Sequence, residues 1–175
     1  MFWDEFGFSF QEALATTWAR RGKRPILRRV THDRRALSTA VALTLSGKIY
    51  KRHFEGAIRS EQIIETLIHI QRHVPGNIVL IWDRARIHTS QKVREYLAKH
   101  PEIHIELLPA YAPELNPEEY CHGNIKQRLR NARPADKYEI RSMLDRGFAR
   151  LRRRPDLLLS LFHAAGVPVR QLRLT

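Results

Sequence analysis

The chain has 175 residues, 43% of them hydrophobic, and its 31 Lys and Arg against 18 Asp and Glu leave a formal charge of +13. That length suits about one domain with a core of its own, so disorder is not the default, and the surplus charge points outward to a polyanion. No run approaches the ~18 apolar residues of a membrane helix, the acidic start Asp4-Glu5 is unlike a signal peptide, and the lone Cys121 excludes a disulfide framework or a cysteine-built zinc site.

The first segment, in which Phe2, Phe6, Phe8 and Phe10 alternate with smaller or polar residues, reads as extended chain. Val41, Leu43 and Leu45, the turn at Ser46-Gly47 and an extended Ile49 to Phe54 predict a β-hairpin, with Trp18 packed beside it. Ser60 is a suitable N-cap for a helix whose apolar stripe is Ile63, Ile64, Leu67 and Ile68, ending before Pro75-Gly76. Ile78 to Trp82 is apolar without alternation, which suits a strand covered on both faces. A second helix over Thr89 to His100, with Val93, Tyr96 and Leu97 on one side, precedes a strand marked by Ile103, Ile105 and Leu107. Strand, helix and strand form a βαβ unit, so these two strands should be parallel neighbours. Beyond the loop from Pro109 to Pro113 the chain reads as helical: one helix from Pro117, one from about Asp136 carrying Ile140, Met143, Leu144, Phe148 and Leu151, and a short one around Leu157 to Ala165.

The expected architecture is α/β, a single domain over 1–175 with a mixed sheet flanked by helices and a helical part over 132–175. Sites in such sheets gather at the carboxyl ends of adjacent strands.

The charge is concentrated in two stripes. Arg20 to Arg35 carries a local +7 and Asn124 to Arg154 a local +8, leaving the remainder near −2. A solvated helix face could explain either stripe alone. Both together favour nucleic acid, with Arg20, Arg21, Lys23, Arg24, Lys126, Arg128 and Arg130 as the expected phosphate contacts.

Three acidic positions stand where this sheet would bring them together: Asp4 with Glu5 in the first strand, Asp83 directly after the apolar run, and Glu118 with Glu119 behind Asn116-Pro117. Each has a plain alternative. Asn116, Pro117 and Glu119 satisfy a capping box, Asp83 could cap a turn, and Asp4 could be a solvated carboxylate near a chain end. Together, in a basic chain, they are what two-metal phosphodiester chemistry requires, with hard oxygen donors suited to Mg²⁺ or Mn²⁺.

Asp83-Arg84-Ala85-Arg86-Ile87-His88 and the block from Leu108 through Pro113-Glu114-Leu115-Asn116-Pro117 to Tyr120 resemble the catalytic domain of bacterial insertion-sequence transposases of the Tc/mariner superfamily. The opening Asp4-Glu5-Phe6-Gly7-Phe8, with Trp18 and Gly22-Lys23-Arg24-Pro25, is similar to that family's first block. The resemblance implies a ribonuclease-H-like fold with a five-stranded mixed sheet and an Asp-Asp-Glu triad holding two Mg²⁺ or Mn²⁺ ions. It also implies a homodimer that cuts DNA at transposon ends and joins the 3′-OH to target DNA.

Carried over by position, the triad is Asp4, Asp83 and Glu119, with Glu118 and Glu5 as possible substitute ligands and His88 and Asn116 in supporting roles. Glu118 occupies a slot usually apolar in that family, and His122 one usually held by Trp. Nothing before Asp4 could supply the family's helix-turn-helix, so end recognition is expected from a partner chain or an upstream frame, in the cytoplasm. The alternatives are a DNA-binding remnant without catalysis and a ribonuclease-H-type nuclease on RNA–DNA hybrids.

Elsewhere the signals are weak. His69 and His73 share a helix face, but Ile70 stands where a zinc-protease motif has Glu. Cys121 reads as a small buried residue.

Overall fold

The computed structural model describes residues 1–9, 16–26 and 37–172, so Phe10 and the part of the first basic stripe beyond Ile26 lie outside the described residues. Its elements are β1 (Phe2–Phe8), β2 (Leu37–Leu43), β3 (Ile49–Glu55), α1 (Ser60–His73), β4 (Ile78–Trp82), α2 (Gln91–Ala98), β5 (Ile103–Leu107), a single 3₁₀ turn (Pro113–Leu115), α3 (Pro117–Leu129), α4 (Lys137–Arg152) and α5 (Pro155–Ala164).

The five strands form one mixed sheet in the order β3-β2-β1-β4-β5. β1, β2 and β3 pair antiparallel, whereas β4 joins β1 and β5 in parallel, as the βαβ pattern requires. Flanked by helices, this is the ribonuclease-H-like arrangement.

Alternation along the strands divides the core in two. Phe2, Phe6, Phe8, Val41 and Leu43 face Ile125 of α3, Ile140, Leu144 and Phe148 of α4 and Phe162 of α5. Trp3, Ala40, Ala42, Leu80 and Trp82 face Ile63, Leu67 and Ile70 of α1 and Val93 of α2. Trp3 and Trp82 meet edge to face, with ring centroids 6.0 Å apart.

Several expectations are corrected. Ile78, Leu80 and Trp82 are buried, but Val79 is 49% exposed, so β4 is not covered on both faces. The reason is lateral: α3 and α4 pack over β1, β2 and β3 and leave the outer part of β4 bare. Trp18 is fully exposed rather than packed beside the hairpin. Ser60 is the first helical residue, not the cap. Arg59 precedes α1, and its backbone N–H donates to Gln62 Oε1 (2.9 Å). Among the described residues, no helix is long and apolar enough to cross a membrane.

Gly147 lies where α4 crosses α3. A Cβ built there would stand 3.1 Å from Ile125 Cγ2, and Ile125 is itself buried in the core. Alanine is worth roughly 1 kcal/mol over glycine in an open helix, but overpacking a core costs roughly 1–3 kcal/mol. Gly147→Ala is therefore expected to lower stability by about 1 kcal/mol in urea denaturation, against the helix-propensity trend.

Candidate metal centre

β1 sends alternate side chains to opposite faces, so Asp4 points with Phe2 and Phe6 toward α3 while Glu5 points with Trp3 toward α1 and α2. The parallel register pairs Phe2 with Ile81, which continued by two residues sets Asp4 beside Asp83 at the end of β4. Asn116 fixes the third element. Its Oδ1 accepts from Glu118 N–H (3.1 Å), capping α3, and its Nδ2 donates to the Trp3 carbonyl (3.1 Å) and Asp4 Oδ2 (3.4 Å), tying the helix start to β1.

The capping-box alternative for Glu119 is not realised: its backbone N–H bonds the Asn116 carbonyl, and its carboxylate lines a cleft. That cleft, about 380 Å³, is lined by Asp4, Asp83, Glu119 and Asn116 and walled by the loop from Leu108 to Pro113. At its rim Tyr111 is fully exposed and holds a left-handed backbone (φ 56°), a conformation costly for a bulky residue.

Asp83 is held from behind. Its Oδ1 accepts from Ala85 N–H (2.9 Å) and lies 2.8 Å from His88 Nδ1. The opposite ring nitrogen, Nε2, is 2.9 Å from Glu5 Oε1, which also accepts from Trp3 Nε1. The imidazole stacks flat on Trp82, with centroids 4.4 Å apart and planes within 3°. Burial opposes charge on His88, but its bonds to Asp83 and Glu5 prevail and raise its pKa to about 10; the same His88 bond holds Asp83 below the usual carboxylate range. Glu5, expected as a substitute ligand, thus lies on the far face of β1 and supports His88.

Glu118, the other substitute, is fully buried in α3, where burial and then Glu119 push its carboxyl well up. Its Oε2 stands 2.9 Å from His122 Nε2, and neither of its oxygens nor that nitrogen is engaged in a hydrogen bond. His122 Nδ1 is 3.8 Å from Glu119 Oε2. One donor atom each from Asp4, Glu119 and His122 fall within 4.8 Å of one another, a spacing that fits a divalent cation. Asp4 fits the same reading: burial, reinforced by Glu119, Glu5 and Glu118 against the attraction of His122, raises its pKa to about 8. Sequence reasoning passed over His122. The available signal was helical spacing, three residues after Glu119 and four after Glu118.

Stability should follow. In the metal-free fold Asp4 titrates near 8 instead of 3.8 and His88 near 10 instead of 6.5, so both contributions are lost as pH rises. His122, lowered by burial to about 4, acts oppositely only below about 6.5. Urea denaturation in EDTA should therefore show stability falling from pH 6.5 to pH 8, and a divalent cation should flatten the slope; a rise over that window would contradict this electrostatic account.

Of the basic residues expected to contact phosphate, only Lys126 is placed beside the acidic cluster. Arg20, Arg21, Lys23 and Arg24 are all exposed. Lys126 lies 5.5 Å over the Phe6 ring, next to the acidic cluster, and Arg128 lines a groove between α3 and α4 with Arg146 and Arg150. Arg130 is exposed just after α3.

The sequence profile of the DDE superfamily endonucleases matches residues 1–141. Among solved structures, the Mos1 mariner paired-end complex with Mn is 20% identical, with a TM-score of 0.70 over 94% of this chain and 53% of that one. The Mos1 strand transfer complex is 19% identical, with a TM-score of 0.66 over 94% of this chain and 54% of that one. The catalytic domain of Mos1 mariner transposase is 15% identical, with a TM-score of 0.60 over 94% of this chain and 81% of that one. The chain thus spans about half the length of the Mos1 chains in the DNA complexes, and the likeness is one of fold. No curated protein sequence matches it.

Proposed function

The chain belongs to the DDE superfamily of endonucleases, and from that membership we propose that it is the catalytic domain of a DNA transposase, with Asp4, Asp83 and Glu119 as its metal-binding triad. The observation that carries the reading is the convergence of these carboxylates, from β1, the end of β4 and the start of α3, on one cleft. The donor set is hard oxygen, which suits Mg²⁺ or Mn²⁺, and two ions fit the count of carboxylates. When bound, the ions supply charge stabilisation to the attacking and leaving oxygens of a phosphodiester.

The chain's own residues do the rest. Asp83 Oδ1 is occupied by Ala85 N–H and His88, which leaves Oδ2 to face the cleft. Asn116 sets the distance between α3 and β1, and hence between Glu119 and Asp4. Lys126, Arg128 and Arg130, with Arg20, Arg21, Lys23 and Arg24, hold the DNA backbone by its phosphates, so binding is strongly salt-dependent and carries little sequence preference. The substrates are transposon ends and then target DNA, the chain acts as a homodimer on DNA, and a helix-turn-helix segment or partner supplies end recognition. The work is done in the cytoplasm, and this belongs to an insertion sequence of the Tc/mariner type.

The test is metal-dependent strand cleavage of duplex DNA carrying the element's terminal repeat, comparing the parent with Asp83→Asn. Equal activity in both sinks the assignment. Cleavage confined to RNA–DNA hybrids would indicate a ribonuclease-H-type nuclease, and DNA binding without Mg²⁺ or Mn²⁺ binding would indicate an inactive remnant.

A further inference from the structure

We propose that His122 is a nitrogen ligand of the cation held by Asp4 and Glu119, oriented by Glu118, and that this makes the centre prefer Mn²⁺ to Mg²⁺. The inference rests on reading the cleft as a metal site and assigns a donor that the carboxylate triad does not include.

His122 is 4% exposed and Glu118 fully buried, so neither is a surface group that water can satisfy. Phe6 fixes the imidazole, with ring centroids 4.5 Å apart and planes 32° from parallel. Its two nitrogens then face different partners: Nε2 faces Glu118 Oε2 at 2.9 Å, and Nδ1 faces Glu119 Oε2 at 3.8 Å.

The latter distance is too long for a hydrogen bond. Two donors each ~2.1 Å from one ion stand roughly 3 to 4.2 Å apart, depending on their angle. The 3.8 Å separation falls within that span, and a donor atom of Asp4 lies within 4.8 Å of both.

The unpartnered atoms concern the opposite edge of the ring. Among buried side-chain atoms of the described residues, Glu118 Oε1 and Oε2 and His122 Nε2 are left without a hydrogen bond. These atoms lie on the Glu118 side of the ring, so they bear on how His122 is oriented and not on the ion itself. A proton on Nε2, the side facing Glu118, leaves the Nδ1 lone pair facing the Glu119 carboxylate. That is unfavourable with nothing between them and favourable around a cation. A carboxylate behind the outer nitrogen of a metal-bound imidazole is a recurrent device: it selects the tautomer, fixes the ring and strengthens the donor.

The consequence is selectivity. Mg²⁺ favours oxygen donors and near-ideal octahedral geometry, whereas imidazole suits later, softer ions, so a nitrogen in the set penalises Mg²⁺ relative to Mn²⁺.

Pulsed EPR of Mn²⁺ bound to the 175-residue chain reads the ligand directly. The parent should show ¹⁴N coupling from a bound imidazole. His122→Phe, which keeps a ring against Phe6, should lose the coupling and lose at least about tenfold of the Mn²⁺-over-Mg²⁺ preference, while Glu118→Gln should keep the coupling and weaken Mn²⁺ by about 10–100-fold. His122→Gln serves as the second variant should the Phe variant not fold.

Mn²⁺ that depends on Asp4 and Glu119 but shows no ¹⁴N coupling, or coupling that survives in the His122 variants, overturns the inference and leaves the carboxylate site standing. Binding indifferent to Asp4→Asn and Glu119→Gln removes the metal reading itself, and this inference with it.

Discussion

Asp4→Asn is expected to abolish cleavage, by on the order of a thousandfold or more, and at the same time to make the metal-free protein more stable. The first effect follows from removing the carboxylate that stands between Asp83 and Glu119 in the cleft. The second follows from burial. Asp4 ionises near 8 in the fold and near 3.8 outside it, so the folded state is increasingly penalised as pH rises from about 4 to about 8.

Asparagine carries no charge and keeps the oxygen that accepts from Glu5 N–H at 2.7 Å. Its Nδ2 would displace only the 3.4 Å contact from Asn116, which retains the Trp3 carbonyl. Stability lost where activity is gained is the usual trade at a functional site. Urea denaturation in EDTA at about pH 8.5, set beside a cleavage assay, checks both halves. A variant that is inactive and also less stable would assign Asp4 a structural role.

Trp82→Ala should produce the largest loss of stability, about 3–5 kcal/mol, because a fully enclosed indole leaves a cavity that the surrounding strands and helices cannot close. Trp82 is 2% exposed and sits against Trp3. The substitution also removes the flat surface on which His88 lies, so Asp83 loses the support behind it. Trp82→Phe separates the two contributions. It preserves an aromatic face for His88 and should recover most metal binding by calorimetry while restoring only part of the stability. If Phe recovers stability and metal binding in equal measure, the ring stack has no role apart from packing.

Much of this was legible in the sequence because its signals were local. The apolar run ending at Trp82, the Asn116-Pro117 cap and the stripes of Ile63, Leu67 and Ile140, Leu144, Phe148 each announce an element through spacing alone. The convergence of Asp4, Asp83 and Glu119 on one cleft was legible from strand ends and a helix start.

What stayed hidden depends on facing across the sheet. Glu5 looks interchangeable with Asp4 in a list of acids, yet alternation sends it to the opposite face, where its partner is His88, 83 residues away. Glu118 and Glu119 are equally ambiguous until the helix is built: one is buried against His122 and the other opens to the cleft. The exposure of Val79 was illegible for another reason. A run of apolar residues reports what a strand tolerates on its faces, and the helices that cover it come from distant parts of the chain.

The close seat of Ile125 against Gly147 has a further consequence. Glu119 and Ile125 lie on the same helix, α3, so a side chain at 147 that pressed on Ile125 would press on the helix that carries the cleft carboxylate. The absent methyl group at 147 thus leaves room for Ile125 to seat in the core beneath the cleft helix.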